Sequence, residues 1–178
     1  PIKLIDLKFP KDSSGKTFGL EYARIFPQST MTLAGEKDNA KTAFCLNFVK
    51  ENMEDKQCVY HTNEMCKEEL LDRLNNFPDT EWFKEDGTLK FIPVERFTGW
   101  QDVVRMYPNA FHVIDYLDPG EVAYSIGTFI DQIRQQLKDG IALIAIQKKQ
   151  STMTKKDGST YRNFIDYGVG GQFSEHRA

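Results

Sequence analysis

The chain has few cysteines, few histidines and no long apolar run. Its three cysteines, Cys45, Cys58 and Cys66, are an odd number without zinc-like spacing. A disulfide framework is thereby disfavoured, and a reducing compartment is the simplest expectation. The three histidines, His61, His112 and His176, show no metal-ligand spacing, so no metal site built from protein ligands alone is assigned. No apolar stretch approaches the roughly 20 residues of a membrane-spanning helix. The start, Pro-Ile-Lys-Leu-Ile-Asp-Leu-Lys, has no signal-peptide character. A general excess of positive charge is also missing: the formal net charge is −3, which removes any global nucleic-acid signature. Internal repeats and low-complexity tracts are absent as well.

What is present suits a single domain over residues 1–178, with residues 1–17 as an N-terminal arm or linker. At 178 residues, 40% hydrophobic and 28% charged, such a chain buries roughly 70% of its unfolded surface. The first residue is Pro rather than Met. Either the initiator was removed or the chain is an excerpt of a longer protein.

The most informative segment is Gly35-Glu36-Lys37-Asp38-Asn39-Ala40-Lys41-Thr42. It is one substitution away from the phosphate-binding pattern G-x-x-x-x-G-K-[ST], with Ala40 at the last glycine. Such a loop cradles nucleotide phosphates in backbone N–H groups, sends its lysine to the β/γ-phosphates and offers a hydroxyl to Mg²⁺. Gly35 is expected to permit a tight turn, and Asn39 to tolerate left-handed geometry. Ala40 adds a methyl where the backbone should approach the phosphates. A β-prone run (29–34) precedes the octet. A helical pattern from 41 to about 53 follows it, with Phe44, Phe48 and Val49 at helical spacing.

Further along, residues 57–62 read as a buried strand. Residues 64–74 read as a helix capped by Thr62 or Asn63. Residues 75–88 form a connection with a short helix around Trp82. Strands are expected at 89–94 and 110–118, and helices at 99–106 and 121–138, the last closed by Gly140. The run Ile-Ala-Leu-Ile-Ala-Ile (141–146) is apolar without alternation, as in a strand covered on both faces of a parallel sheet. Strands alternating with helices make this an α/β, three-layer chain whose ligands sit at the C-terminal strand ends.

Several residues fall at that edge. Lys41 and Thr42 would neutralise phosphate charge and ligate Mg²⁺, with Ala43 completing the loop. Asp115 ends an apolar strand and either holds Mg²⁺ through water or caps the next turn. Glu64 opens a helix, so its local reading is a partner of the helix dipole; the other role open to it is polarising an attacking water. Gln147 either senses the γ-phosphate or makes ordinary strand-end hydrogen bonds. Lys148, Lys149, Lys155, Lys156 and Arg162 surround the single acid Asp157. They form either a solvated turn or a set of phosphate contacts.

The order Leu-Ala-Gly-Glu-Lys-Asp-Asn-Ala-Lys-Thr-Ala-Phe (33–44), Val-Tyr-His-Thr-Asn-Glu-Met-Cys-Lys-Glu-Glu-Leu-Leu-Asp-Arg-Leu (59–74), Val-Ile-Asp-Tyr-Leu (113–117) and Ile-Ala-Leu-Ile-Ala-Ile-Gln-Lys (141–148) resembles the RecA-type P-loop ATPases. Within them it resembles the DnaB-like replicative helicase motor domain and its phage relatives, over about residues 18 to 178. The resemblance implies a three-layer RecA-like P-loop NTPase fold with a mostly parallel sheet. It implies ATP and Mg²⁺ as ligands, single-stranded DNA as partner and a homo-oligomeric ring or filament. The setting would be bacterial cytoplasm, or host cytoplasm for a phage protein. It moves Glu64 to the place of the general base, Asp115 to the Walker B acid and Gln147 to the motif glutamine. The segments after Asp115 and Gln147 become DNA-facing loops, with Gly168–Ser174 as the glycine-rich stretch after the second. Two other readings stand beside this one: a RecA-like recombination or regulatory ATPase, and a degenerate nucleotide-binding module without turnover.

Overall fold

The apolar run at 141–146 is continuous because its strand has a hydrophobic layer on each face. In the computed structural model, Leu143 and Ala145 pack into one cluster and Ala142, Ile144 and Ile146 into another. The model describes residues 3–17, 20, 22–118, 125–154 and 159–168, with 149–154 and 160–168 as backbone alone.

Chain order is β1 (Thr30–Gly35), α1 (Lys41–Asn52), β2 (Cys58–Thr62), α2 (Lys67–Leu74), β3 (Ile92–Glu95), α3 (Trp100–Met106), β4 (Phe111–Asp115), α4 (Ile126–Gln136), β5 (Ile141–Thr154) and β6 (Thr160–Gly168). The sheet runs β1-β5-β4-β2-β3, every one of these pairings parallel, and β6 pairs antiparallel with β5. Helices α1 and α2 cover one face through Leu46, Phe48, Val49, Leu70 and Leu74. Helices α3 and α4 cover the other through Trp100, Val104, Ile126, Ile130 and Ile133. Each of the leucine, isoleucine, valine and phenylalanine side chains among these contributes about 1.5–3 kcal/mol by burial. The result is the expected three-layer α/β architecture.

Several local expectations need correction. Helix α2 begins at Lys67, capped at Cys66, with Glu69 accepting from the Cys66 amide at 3.0 Å. Thr62 does not cap it. Its hydroxyl instead accepts from the amides of Glu64 and Met65 at 3.3 and 3.2 Å, turning the chain between strand and helix. No helix forms around Trp82. That ring is buried and donates to the Leu74 carbonyl at 3.2 Å. The following residues close a tight turn through Asp86 and the left-handed Gly87, bridged by Phe83 and Leu89. Helix α4 ends where Leu137 becomes extended, so Gly140 does not cap it. Gly140 serves close approach: a Cβ there would lie 2.4 Å from the Ala110 carbonyl and 2.6 Å from that of Pro108. Val122 of the expected helix lies outside the described residues.

The N-terminal arm is clipped to α1 by Asn52, which accepts from the Lys8 amide at 3.0 Å and donates to the Lys8 carbonyl at 2.8 Å. Buried Leu7 and half-buried Ile5 and Phe9 pack on the same core.

On the sheet face opposite α1, His61 and His112 meet at 3.0 Å, and His112 Nε2 lies 2.9 Å from the Tyr107 carbonyl. A carbonyl only accepts, so His112 Nε2 carries hydrogen and its Nδ1 accepts from His61. His61 Nδ1 is then a buried lone pair with no hydrogen-bond partner. Burial pushes both rings down, His61 to about 3 and His112 to about 4. The pair is therefore neutral at pH 7.

Candidate active site

Three parallel strands, β1, β2 and β4, deliver their C-terminal ends beside Gln147 of β5. Gly35 of β1 pairs with Gln147 of β5, and Thr62 of β2 pairs with Asp115 of β4. A cavity of about 390 Å³ opens there, lined by residues 37–43 together with Glu64, Arg73, Asp115, Tyr116 and Gln147. The loop residues, both carboxylates and the glutamine singled out in the sequence thus converge, although they lie far apart along the chain.

The loop wraps the N-terminus of α1. The first intrahelical bond runs from the Phe44 amide to the Ala40 carbonyl at 3.0 Å. The amides of Lys41, Thr42 and Ala43 precede it, and such first-turn amides have no intrahelical acceptor. Lys41 reaches back over Gly35 and donates to the Glu36 carbonyl at 2.5 Å. A Cβ on Gly35 would lie 3.1 Å from Lys41 Cγ. The glycine therefore makes room for the lysine stem and does not turn the chain. The cavity lining begins at Lys37 and does not include Gly35 or Glu36.

The left-handed residues are Asp38 (φ 60) and Ala40 (φ 54, ψ 20), not Asn39. A glycine is free in this region, whereas alanine costs about 1–2 kcal/mol. The departure from the motif is thus a backbone-strain matter as much as a steric one. Changing Ala40→Gly is expected to stabilise the protein by about 0.5–1 kcal/mol, after the entropy of a freer unfolded glycine is subtracted. Thermal melting would rise by roughly 2 °C. A fall in melting temperature would contradict the strain.

Asp115 is 2% exposed. The Tyr60 hydroxyl donates to its Oδ2 at 2.5 Å, and Thr42 also hydrogen-bonds it. Burial pushes this carboxyl up, while the bonds from Tyr60 and Thr42 and the charges of Lys41 and Arg73 pull it down. The following peptide, Asp115–Tyr116, is cis.

Glu64 lies ahead of the Cys66 cap, so it is not a first-turn residue; Glu68 and Glu69 occupy that turn. Its side chain is exposed at the cavity. Partial burial raises its pKa first and the charge of Asp115 second, while Lys41 and Lys37 oppose them. Gln147 is half-buried and does not end its strand, because β5 runs on to Thr154. The basic segment beyond it is a β-hairpin where loops were expected, with Lys148 paired to Gly168 and Thr152 to Arg162. Lys149 lies on the β5 backbone. Lys155, Lys156, all of the glycine-rich stretch except Gly168, and residues 119–124 of the segment after Asp115 lie outside the described residues.

Sequence reasoning missed Tyr60, Arg73 and Tyr116. Arg73 is the basic residue in the last turn of α2 and faces the same cavity. Tyr60 reads in sequence as one more apolar residue of β2. Only the register with β4 reveals its acidic partner.

No protein-family model matches the chain, and no curated protein matches it. Its structure is similar to the crystal structure of a KaiC-like protein from the hyperthermophilic archaeon Pyrococcus horikoshii OT3. The TM-score is 0.50 at 15% identity, over 96% of this chain and 98% of that one. The fold is RecA-like. At this identity the likeness bears on fold alone, and the site residues stand on their own geometry. Among the described residues no helix is long and apolar enough to cross a membrane.

Proposed function

We propose that this chain is an ATP-hydrolysing motor domain, a helicase-like translocase on single-stranded DNA that works as a homo-oligomer. Its support is the convergence of Lys41, Thr42, Glu64 and Asp115 on one cavity at the C-terminal edge of a RecA-like sheet. ATP binds with its phosphates against the amides of the 37–43 loop. Lys41 leaves the Glu36 carbonyl for the β/γ-phosphates. Arg73 adds a third cation beside Lys37 and Lys41.

The donor set also fits Mg²⁺, which takes few protein oxygens when substrate phosphates supply the others. The Thr42 hydroxyl would hold it directly and the Asp115 carboxylate through water. When bound, the ion neutralises charge between the β- and γ-phosphates. Glu64 orients the attacking water and takes its proton as the oxygen bonds to the γ-phosphorus and ADP departs. A carboxyl raised by partial burial and by Asp115 suits that task, because a base works best near the operating pH. Gln147 registers the γ-phosphate and connects the cavity to the β5–β6 hairpin. Along that segment Lys148, Lys149, Lys155, Lys156 and Arg162 are candidate contacts to DNA phosphates. A neighbouring subunit supplies a cationic finger to the transferred phosphoryl group.

The test is ATP hydrolysis with and without a single-stranded oligonucleotide. Turnover is expected to rise severalfold with DNA, and the stimulation to fade as salt releases the phosphate contacts. Hydrolysis indifferent to DNA would reject the translocase. It would favour the second reading, a RecA-like recombination or regulatory ATPase with the same core.

A further inference from the structure

Tyr60 carries a hydroxyl where packing asks for none. Its ring is 0% exposed and sits edge-on to Phe91 at 6.1 Å between centroids. Phenylalanine would fill the same space. A buried hydroxyl is costly unless it is hydrogen-bonded, and this one has an acidic partner. Along β2, alternation puts Cys58, Tyr60 and Thr62 on the face covered by α1. The register pairs Tyr60 with Val113 and Thr62 with Asp115. Tyr60 is thus the diagonal neighbour of Asp115 across β2 and β4, a separation that a tyrosine side chain spans. The hydroxyl meets Asp115 Oδ2 at 2.5 Å from beneath. Thr42, at the cavity, bonds the same carboxylate.

We infer that Tyr60 is the positioning residue of this site: its buried hydroxyl holds Asp115 in one rotamer, so that the carboxylate meets Thr42 and the cation of a bound nucleotide. The inference rests on the reading of the cavity as an Mg²⁺–ATP site and adds to it a residue that touches neither ligand. A carboxylate accepts at about four lone-pair sites, so the bond from Tyr60 leaves capacity for Thr42 and a metal-bound water. Without the hydroxyl, the side-chain hydrogen bond left to Asp115 among the described residues is that of Thr42, which a cation would also claim.

Tyr60→Phe tests this with Mn²⁺ as the probe. Electron paramagnetic resonance would give Mn²⁺ affinity in the presence of ATP, and a fluorescent ATP analogue in EDTA would give metal-free nucleotide affinity. The expected result is roughly tenfold weaker Mn²⁺ binding with metal-free affinity unchanged. NMR couplings of the Asp115 methylene in the free protein should pass from one rotamer to an average. Phe91→Leu loosens the same ring cluster and keeps the hydroxyl, so its Mn²⁺ affinity should match the wild type. Mn²⁺ affinity unchanged in Tyr60→Phe, an unaltered Asp115 rotamer, or equal weakening in Phe91→Leu would each overturn the inference. A wild-type protein that binds no Mn²⁺ with ATP would remove the underlying functional reading and this inference with it, an outcome distinct from a silent Tyr60→Phe.

Discussion

Lys41→Ala is expected to weaken ATP binding by at least about 30-fold, and to remove measurable hydrolysis. The lysine lies at the end of the 35–42 loop, and among the described residues its amine donates to the Glu36 carbonyl at 2.5 Å. Truncating one member of a hydrogen-bonded charge pair costs about 2–5 kcal/mol, and the lower bound already gives that factor. The fold should survive, since Lys41 is only half-buried at the first position of α1. Circular dichroism should therefore show a native helix signal in a protein that no longer binds.

Glu64→Gln separates chemistry from binding. The amide keeps the shape of the side chain and loses its basicity. Turnover is expected to fall by about 10²–10⁴, with ATP affinity within roughly threefold of wild type. The contrast with Lys41→Ala is the informative part, because the proposed mechanism gives the phosphates to one residue and the water to the other. Near-normal turnover in Glu64→Gln would assign the base to another group.

Elements that announce themselves by local pattern were legible in the sequence. The doubly covered β5 showed in six consecutive apolar residues at 141–146, and its two faces do split between the two clusters. The loop octet followed by helical spacing placed Lys41 and Thr42 at the head of α1. What was not legible depends on contacts between distant segments or on atypical caps. Cysteine is not a preferred cap, so local pattern starts α2 too early and offers Glu64 a helix dipole that it does not meet. The hairpin of β5 and β6 was hidden in Gln-Lys-Lys-Gln-Ser-Thr-Met-Thr (147–154), whose polarity reads as loop. Nothing local to Trp82 says that its indole bonds the Leu74 carbonyl, so a helix there is the natural reading of sequence alone. The pairing of Tyr60 with Asp115 exists only through strand register.

Ala40 illustrates the same limit at a single residue. The motif flags the missing glycine, but only the backbone shows why glycine belongs there: the residue is left-handed, at φ 54. The loop nevertheless keeps the geometry that sets Lys41, Thr42 and Asp115 around one cavity. The alanine strains the site without dismantling it.

The most direct measurement of the central claim is calorimetric titration of the full chain with Mg²⁺–ATP, for wild type and Lys41→Ala side by side. One nucleotide per chain in the wild type, with affinity reduced at least about 30-fold in the variant, is the predicted result. No binding to the wild type at millimolar ATP, or equal affinity in both proteins, would contradict it.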